Sequence, residues 1–350
     1  MRAVTIVRAM TEENTETLGW GGELWAAADL LTPMCIRVAA TLRLADHLTA
    51  GLRTAEGLAT VTSTDPDALG RVLRHLVTAR VLTRSAGGEY GLTGLGERLR
   101  EDHPDGVRRW LDLDGAIGRA DMCFVQLLHT VRTGEAAYPR QFGRPFWADL
   151  AADPGLAASF DGLMGARLVA GAPAIAAAYP WGELGHVADV GGGNGSMLIA
   201  ILRAHPGLRG TVLDLPGPVA RAQVAIADAG LTDRADARAA DAFEELPAGF
   251  GGYVLSGVLH DWRDEDAARI LRRCADAAGH TGAVLVIEEA VEDRADGTGD
   301  TIGDLTMLTY LLGRNRTLGQ LRDLGSAAGL ELGPVTAVGR RSILELRRSR

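Results

Sequence analysis

A run of glycines follows an acidic residue in the stretch VADVGGGNGS. Gly191, Gly193 and Gly195 follow Asp189 at every second position, directly after an apolar run that predicts a buried strand. Glycine lets a backbone approach a ligand closely, because it has no Cβ. A dinucleotide fingerprint would need its third glycine where this chain has Ser196. The loop therefore disfavours a nicotinamide dehydrogenase and predicts a different nucleotide-like cofactor.

Two further acidic residues stand at the ends of the next predicted strands. Asp214 ends TVLDLP, where a carboxylate can accept hydrogen bonds from both hydroxyls of a ribose. Asp241 and Phe243, in DAF, close a third strand and offer a carboxylate and a ring to an adenine. Ligands of parallel sheets bind at the carboxyl ends of the strands. Together with the glycine loop, these residues predict a site for an adenosine without a pyrophosphate.

From about residue 180 onward, strand patterns alternate with helical patterns. VADV, GTVLDL, GGYVLSGVLH and GAVLVIEEAV are the near-continuous apolar runs of strands buried on both faces. The helix in DEDAARILRRCADAAG places apolar residues on one face, namely Ala267, Ile270, Leu271, Cys274 and Ala278. The alternation predicts an α/β fold with a doubly wound, mostly parallel sheet. GPVTAVGRRSILELRR, with Gly339 in its turn, predicts an antiparallel terminal hairpin.

The N-terminal region has the element order of a winged helix. A helix and a short helix precede a helix that opens at Asp65 and Pro66, and VLTRSAGGEYGLT follows as a hairpin. Arg71 and Arg74 would face outward, which leaves a ligand-sensing DNA-binding regulator as an alternative. Residues 1–105 contain eleven arginines against fourteen acidic residues, a poor charge balance for DNA.

Composition excludes several classes of protein. The 350 residues are 47% hydrophobic and carry a net charge of -9, which disfavours a polyanion as the main partner. The absence of lysine excludes a P-loop lysine and a pyridoxal phosphate Schiff base. Cys35, Cys123 and Cys274 are too far apart for a CxxC metal site and are expected to be small buried hydrophobes. Charges interrupt the first twenty residues, and no apolar run is long enough to cross a bilayer, so we expect a cytoplasmic protein.

The motifs DVGGGNGS, LDLPG, GGYVLSGVLHDWRDEDA, LVIEE and DLTMLTYLLG resemble those of the S-adenosylmethionine-dependent small-molecule O-methyltransferases. The resemblance covers essentially the whole chain and favours bacterial enzymes that modify aromatic polyketides such as anthracycline and enediyne precursors. It implies a winged-helix-like dimerisation domain over 1–105, a helical connector over 106–180 and a Rossmann-like catalytic domain over 181–350. It also implies a homodimer that acts on an aromatic small molecule, without a metal, a nucleic acid or a membrane as partner.

The same resemblance assigns the cofactor contacts. Gly191 and Gly193 would approach the methionine part of S-adenosylmethionine, and Asp214 would hold its ribose. Ser256 stands where plant relatives carry a cofactor-contacting lysine. The full set implied by the resemblance is Asp189, Gly191, Gly193, Asp214, Leu215, Asp241, Ala242, Phe243 and Ser256.

The implied reaction moves a methyl group to a phenolic oxygen and leaves S-adenosylhomocysteine. A phenol is only about one part in a thousand ionised at neutral pH, so a positioned base is useful. His260, at the end of GGYVLSGVLH, is the candidate base, and Glu288, at the end of the next strand, would orient its ring. Plant relatives carry a second glutamate where this chain has Asn315, an amide that supplies no charge, which predicts a less basic histidine.

Acceptor contacts are implied on two helices. Phe160 and Met164 lie one helical turn apart, and Met307 would face them, while Trp147 and Asp261 are further candidates. Apolar and sulfur-bearing walls suit a flat polycyclic aromatic. A homologue that binds the same cofactor for non-methylating chemistry, such as hydroxylation, stays open as an alternative.

Overall fold

The structure, a computed structural model, describes residues 22–169, 171–289 and 300–348. The charged segment 1–20, which predicts no signal peptide, lies outside the described residues. The chain divides into two compact units between Arg119 and Ala120. The finer three-part division at residues 105 and 180 stays a prediction.

The first unit consists of short helices and a hairpin. Its elements are α1 Gly22–Ala27, α2 Leu31–Thr41, α3 Leu44–Thr49, α4 Ala55–Thr62, α5 Pro66–Thr78, β1 Leu82–Arg84, β2 Tyr90–Leu92, α6 Gly94–Glu97 and α7 Val107–Leu111. The start of α5 is as predicted: Asp65 accepts a hydrogen bond from the Ala68 amide at 2.8 Å, and Pro66 takes the first helical position. β1 and β2 pair antiparallel, which gives the predicted helix and hairpin order.

Two features of this unit bear on its predicted partners. Arg71, on which the DNA-binding alternative partly rested, pairs with Asp67 at 2.7 Å. Gly22–Thr41 is long and apolar enough for a helix that could cross a membrane, unlike the expectation from sequence, and is the one such stretch among the described residues. Residues 28–30 are not helical, however, and core helices of globular proteins meet the same criterion. This stretch alone is weak support for a membrane span.

The second unit begins with helices. They are α8 Ala116–Ala120, which reaches across the boundary, a 3₁₀ helix Asp121–Gln126, α9 Leu127–Thr133, α10 Ala137–Phe142, α11 Phe146–Ala152, α12 Pro154–Val169 and α13 Ala172–Ala177. A second 3₁₀ helix, Trp181–Leu184, leads into the sheet.

Seven strands of the described residues form the sheet of the second unit. In chain order its elements are β3 His186–Val190, α14 Ser196–Ala204, β4 Arg209–Asp214, α15 Pro216–Asp228, β5 Ala235–Ala239, β6 Gly252–Ser256, α16 Asp264–Ala278, β7 Ala283–Glu288, α17 Thr301–Leu311, α18 Leu318–Ala327, β8 Leu330–Val338 and β9 Arg341–Arg348. The spatial order is β5-β4-β3-β6-β7-β9-β8. β3 to β7 are parallel, and β9 joins β7 antiparallel, with β8 at the edge. The predicted fold class is confirmed.

Apolar side chains pack on both faces of this sheet. The predicted inner face of α16 is buried throughout, from Ala267 to Ala278. α18 begins with a capping box, in which Thr317 and Gln320 each bond the other's backbone amide. The chain order reverses between β3 and β6, and such a switch point is where ligands of doubly wound sheets bind.

One predicted strand is shorter than its sequence pattern. β6 ends at Ser256, because Gly257 adopts a φ of +65°, although its amide still donates to the Ile287 carbonyl of β7 at 2.9 Å. His260 therefore lies in a 3₁₀ turn, Leu259–Asp261, rather than in the strand itself. The predicted run GAVLVIEEAV ends as a strand at Glu288, and its last two residues lie outside the described residues.

Candidate active site

The glycine loop joins β3 to α14 at the switch point. Gly191 has a φ of +68°, and a Cβ added there would lie 3.0 Å from Cγ2 of Val258. Gly193 also has a positive φ, of +58°, and its amide donates to Asp214 Oδ2 at 2.8 Å. Asp214 holds the loop from the end of the neighbouring strand and accepts a second bond from the Leu215 amide at 2.7 Å. The structure thus brings four predicted cofactor residues together.

Two buried polar groups point to a polar ligand at this loop. Neither oxygen of Asp189 makes a hydrogen bond of ordinary geometry with a described residue, although the side chain is fully buried, and the same holds for Ser256 Oγ. Burial and the nearby charge of Asp214 raise the pKa of Asp189 to about 7, an effect that the Leu198 amide only partly offsets. Buried polar atoms without partners need an explanation such as an ion or a water. Together with the glycine loop beside them, these residues fit an adenosyl cofactor.

The predicted adenine contacts lie beyond the end of β5. Asp241 is exposed and accepts a hydrogen bond from the Phe243 amide at 2.9 Å. The Phe243 ring packs edge-on against Trp262, with centroids 4.7 Å apart, and lies 4.4 Å from the Arg269 guanidinium. Ala242, between them, is half-buried. The turn thus presents a carboxylate and a fixed ring.

His260 and Glu288 form a close pair. Nδ1 of His260 donates to Oε2 of Glu288 at 2.7 Å, while Oε1 of Glu288 accepts from the amides of Leu259 and His260 at 2.9 and 3.3 Å. Glu288 is buried, whereas 30% of the His260 side chain is exposed, so an acceptor can reach the imidazole. The pair adjoins the glycine loop through Val258, which contacts the space beside Gly191.

The charges around His260 change its acidity. Burial alone would lower the pKa of His260, but the carboxylates of Glu288 and Asp261 outweigh burial and raise the pKa to about 9. Asp261 Oδ1 lies 3.4 Å from Nε2, and burial raises the pKa of Asp261 itself to about 6. Asn315 lines one small cavity with His260 and Glu288. The structure thus places a second carboxylate, that of Asp261, beside the imidazole, although Asn315 provides none. That His260 is less basic than its counterpart in plant relatives stays a prediction.

The helix that carries Phe160 and Met164, α12, lies over the glycine loop. A Cβ added at its Gly165 would be 3.6 Å from side-chain atoms of Asn194 and Ser196. Asp161 pairs with Arg221 of α15, and Arg167 with Glu289, beyond β7, at 2.8 Å. Sequence reasoning missed these two ion pairs, because nothing local marks partners that are distant along the chain.

Aromatic rings from α11, α12 and α17 form one cluster. The Phe146 ring lies 5.0 Å from Trp147, 5.7 Å from Phe160 and 6.0 Å from Tyr310, by centroids. Nε1 of Trp147 is buried without a hydrogen-bond partner among the described residues. Met164 and Met307 are half-buried, on α12 and α17. Trp147 and Phe160 lie in one cluster, with ring centroids 5.5 Å apart.

A glycine loop at the switch point of a parallel sheet, with a histidine–glutamate pair beside it, defines an α/β enzyme that binds an adenosyl cofactor. Comparison with known sequences is consistent with this class. The profile of the O-methyltransferase domain matches residues 124–331, and that of the O-methyltransferase dimerisation domain matches residues 25–102. The chain belongs to the S-adenosylmethionine-dependent O-methyltransferase family, and the resemblance seen in its motifs is confirmed.

Individual relatives are similar over most of the chain. The chain is 52% identical to 2,7-dihydroxy-5-methyl-1-naphthoate 7-O-methyltransferase of Streptomyces carzinostaticus, over 92% of its own length and 96% of that protein. It is 49% identical to aclacinomycin 10-hydroxylase of Streptomyces purpurascens, over 87% and 82% of the two chains. A crystal structure of an O-methyltransferase from neocarzinostatin biosynthesis, in complex with S-adenosylmethionine and 2-hydroxy-5-methyl naphthoic acid, matches with a TM-score of 0.89 and 51% identity, over 93% and 98%.

The described part of the chain contains no candidate metal site. No group of three or more histidine, cysteine or acidic side chains there is arranged to hold a metal ion. Cys35, Cys123 and Cys274 are buried and free, as expected, and burial raises the pKa of Cys123 and of Cys274 to about 12.

Proposed function

We propose that the protein methylates a phenolic hydroxyl of a polycyclic, polyketide-derived aromatic, with His260 as general base and Glu288 as the carboxylate that orients it. The hydrogen bond from His260 Nδ1 to Glu288, at 2.7 Å beside the glycine loop, carries this proposal. The aromatic cluster around Phe146 and the naphthoate named for one relative support the class of acceptor.

The chain's own residues divide the work of the reaction. Bound S-adenosylmethionine supplies an electrophilic methyl group, so the protein has to align the acceptor oxygen and take its proton. Because Nδ1 of His260 faces Glu288, the ring presents Nε2 to the phenol. Glu288 then stabilises the imidazolium that forms. The residues proposed to hold the cofactor are Asp189, Gly191, Gly193, Asp214, Leu215, Asp241, Ala242, Phe243 and Ser256.

The protonation state of His260 determines when it can act. With a pKa of about 9, the imidazole is mostly protonated at neutral pH in the free protein. Only the neutral form accepts a proton, so we expect turnover to rise with pH up to that pKa. The pKa of His260 would fall when a positive charge binds beside it, since like charges disfavour each other. When Nε2 accepts the phenolic proton, the nearby Asp261 carboxylate would stabilise the positive charge on the imidazolium. Asn315 would offer a neutral hydrogen bond.

Replacing the base tests this proposal. We expect His260→Ala to reduce kcat by roughly a hundredfold or more while the affinity for S-adenosylmethionine stays within about threefold. His186→Ala is a matched control, because His186 is also half-buried and hydrogen-bonded, to Thr211 at 3.0 Å, at the opposite end of β3. An unchanged kcat in His260→Ala would show that alignment alone suffices and would remove the base from the mechanism.

Non-methylating chemistry is the second candidate. The 10-hydroxylase relative, nearly as similar as the naphthoate methyltransferase, favours it. The two reactions differ in what the acceptor gains, a methyl group or an oxygen atom. The mass of the product therefore separates them.

The same proposal includes a cytoplasmic homodimer. Trp25, Leu30 and Leu31, within the region matched by the dimerisation profile, are 58%, 72% and 57% exposed, and a second copy would bury them. Three free cysteines suit a reducing compartment. Light scattering of the purified protein should give twice the chain mass of 36.9 kDa, and the chain mass itself would contradict the dimer.

A further inference from the structure

Arg316 is a charged side chain buried in the second unit. It is 3% exposed, and its guanidinium donates to three acceptors. Nη1 bonds the Leu259 carbonyl at 2.7 Å, Nη2 bonds the Trp262 carbonyl at 2.7 Å, and Nε bonds Asp264 Oδ1 at 2.9 Å. Two of these three acceptors are backbone groups that flank His260. Burying a charge is costly unless it is fully hydrogen-bonded, so these contacts define its position strictly.

The 3₁₀ turn Leu259–Asp261 is therefore held from two sides. Glu288 accepts from the amides of Leu259 and His260, and Arg316 donates to the carbonyls of Leu259 and Trp262. Gly313 also lies directly against this turn, since a Cβ added there would be 2.0 Å from the His260 carbonyl oxygen. The segment from Gly313 to Arg316 thus packs directly on the turn.

We propose that Arg316 is a positioning residue that fixes the backbone turn of His260 and so keeps the imidazole within hydrogen-bond distance of Glu288. This inference rests on the proposed function, in which His260 is the base. Arg316 touches no reacting atom in this account and acts through the turn. A misplacement of about 1 Å in a catalytic group reduces turnover by about a hundredfold, so a loosened turn should be visible in kcat.

An arginine suits this position for a geometric reason. Its planar fork reaches two carbonyls and a carboxylate at once, whereas lysine offers a single ammonium group on a flexible stem. Arg316→Lys therefore keeps the charge but should restore only part of the positioning. Arg316→Met keeps much of the length and removes every donor.

Arg234 provides a matched control elsewhere in the same unit. Its guanidinium also donates to backbone carbonyls, those of Leu202, His205 and Leu208, at 2.8 to 3.1 Å. These carbonyls lie at the end of α14 and in the turn that leads into β4, at the amino ends of the parallel strands and away from the glycine loop. Arg234→Met should therefore lower stability as Arg316→Met does, without affecting His260.

The experiment compares Arg316→Met, Arg316→Lys and Arg234→Met with the wild-type full-length protein. The pKa of His260 is followed by NMR of its ring nitrogens in the absence of any ligand, and melting temperature, kcat and KM are measured alongside. Three charged groups that face His260, namely Glu288, Asp261 and Arg167, are unchanged in these variants. Arg316→Met also removes a cation that interacts with Glu288, whereas Arg316→Lys keeps it. Loss of that cation would by itself raise the His260 pKa, so a fall in the pKa reports a displaced imidazole.

We expect the His260 pKa to fall by about one unit or more in Arg316→Met, because the bond to Glu288 lengthens, and by less in Arg316→Lys. We also expect kcat to fall by roughly 30-fold with KM within about threefold. Arg234→Met should match the wild type in both after correction for folded protein. If Arg316→Met and Arg316→Lys show the same His260 pKa and kcat as Arg234→Met, the inference is overturned.

Failure of the proposed function would look different. The His260 pKa is read without substrate, so it tests Arg316 even if the wild type methylates no acceptor. If Arg316→Met does not fold, the Lys variant, which keeps the buried charge, carries the comparison.

Discussion

The pairing of Glu288 with His260 predicts a large change in the acidity of the histidine when the carboxylate is neutralised. The raised pKa of about 9, against an ordinary value of 6.5, corresponds to about 3 kcal/mol of preference for the protonated ring. Glu288 is the first contributor to this rise and Asp261 the second. Glu288→Gln keeps the size of the side chain, and its amide oxygen can still accept the hydrogen bond from the Leu259 amide. The substitution therefore removes chiefly the negative charge beside His260. We expect the His260 pKa to fall by about 1.5 units, or about 2 kcal/mol.

Stability should follow the same titration. Because the pKa of His260 is raised, its contribution to the free energy of unfolding is complete below pH 6.5 and is lost as the pH rises through about 9. The pKa of Glu288 is lowered, chiefly because the charge of His260 outweighs its burial, so its contribution is present above pH 4.5 and is lost on acidification. The stability difference between wild type and Glu288→Gln should therefore be greatest between pH 4.5 and 6.5.

The assay is an NMR titration of the imidazole, with denaturant unfolding at pH 5.5 and pH 9.5. Glu289→Gln is the control, since that neighbouring carboxylate pairs with Arg167 at 2.8 Å rather than with His260. A His260 pKa in Glu288→Gln that stays within about 0.3 units of the wild type would refute the reasoning.

Two further predictions concern the glycine loop. Asp189→Asn should stabilise the free protein increasingly as the pH rises from 3.8 through about 7, because the raised pKa of Asp189 makes its buried carboxylate unfavourable once it ionises. The free energy of unfolding of wild type and variant, measured at pH 5 and pH 8, tests this. The same difference between the two proteins at both pH values would contradict it. Gly191→Ala should weaken S-adenosylmethionine binding by about tenfold or more in calorimetry, because the new Cβ meets Val258 at 3.0 Å and the backbone has a φ of +68°. The control is Gly207→Ala, where a Cβ has open space, and this variant should bind the cofactor as the wild type does.

The features that sequence predicts well are local ones. The inner face of α16, the capping box at Thr317 and the glycine at the hairpin turn all follow from spacing within one segment. Placing Asp214 and His260 on one edge of the sheet needs only the rule that parallel strands end together.

Contacts between distant segments were not predictable in the same way. Arg316 under the turn and the ion pair of Arg167 with Glu289 each depend on how separate elements pack. Asp261 follows His260 directly, yet the approach of its carboxylate to Nε2 depends on the 3₁₀ turn that replaces the end of the predicted strand.

The central claim is methyl transfer to a phenolic oxygen, and the mass of the product tests it most directly. The protein is incubated with S-adenosylmethionine that carries a deuterated methyl group and with a panel of hydroxynaphthoates and hydroxyanthraquinones. The mass of each acceptor after incubation is then measured by mass spectrometry. We expect one acceptor to gain a single deuterated methyl group, in an aryl ether that is stable to base. An acceptor that gains an oxygen atom and no deuterium would contradict the account and identify the protein as a hydroxylase.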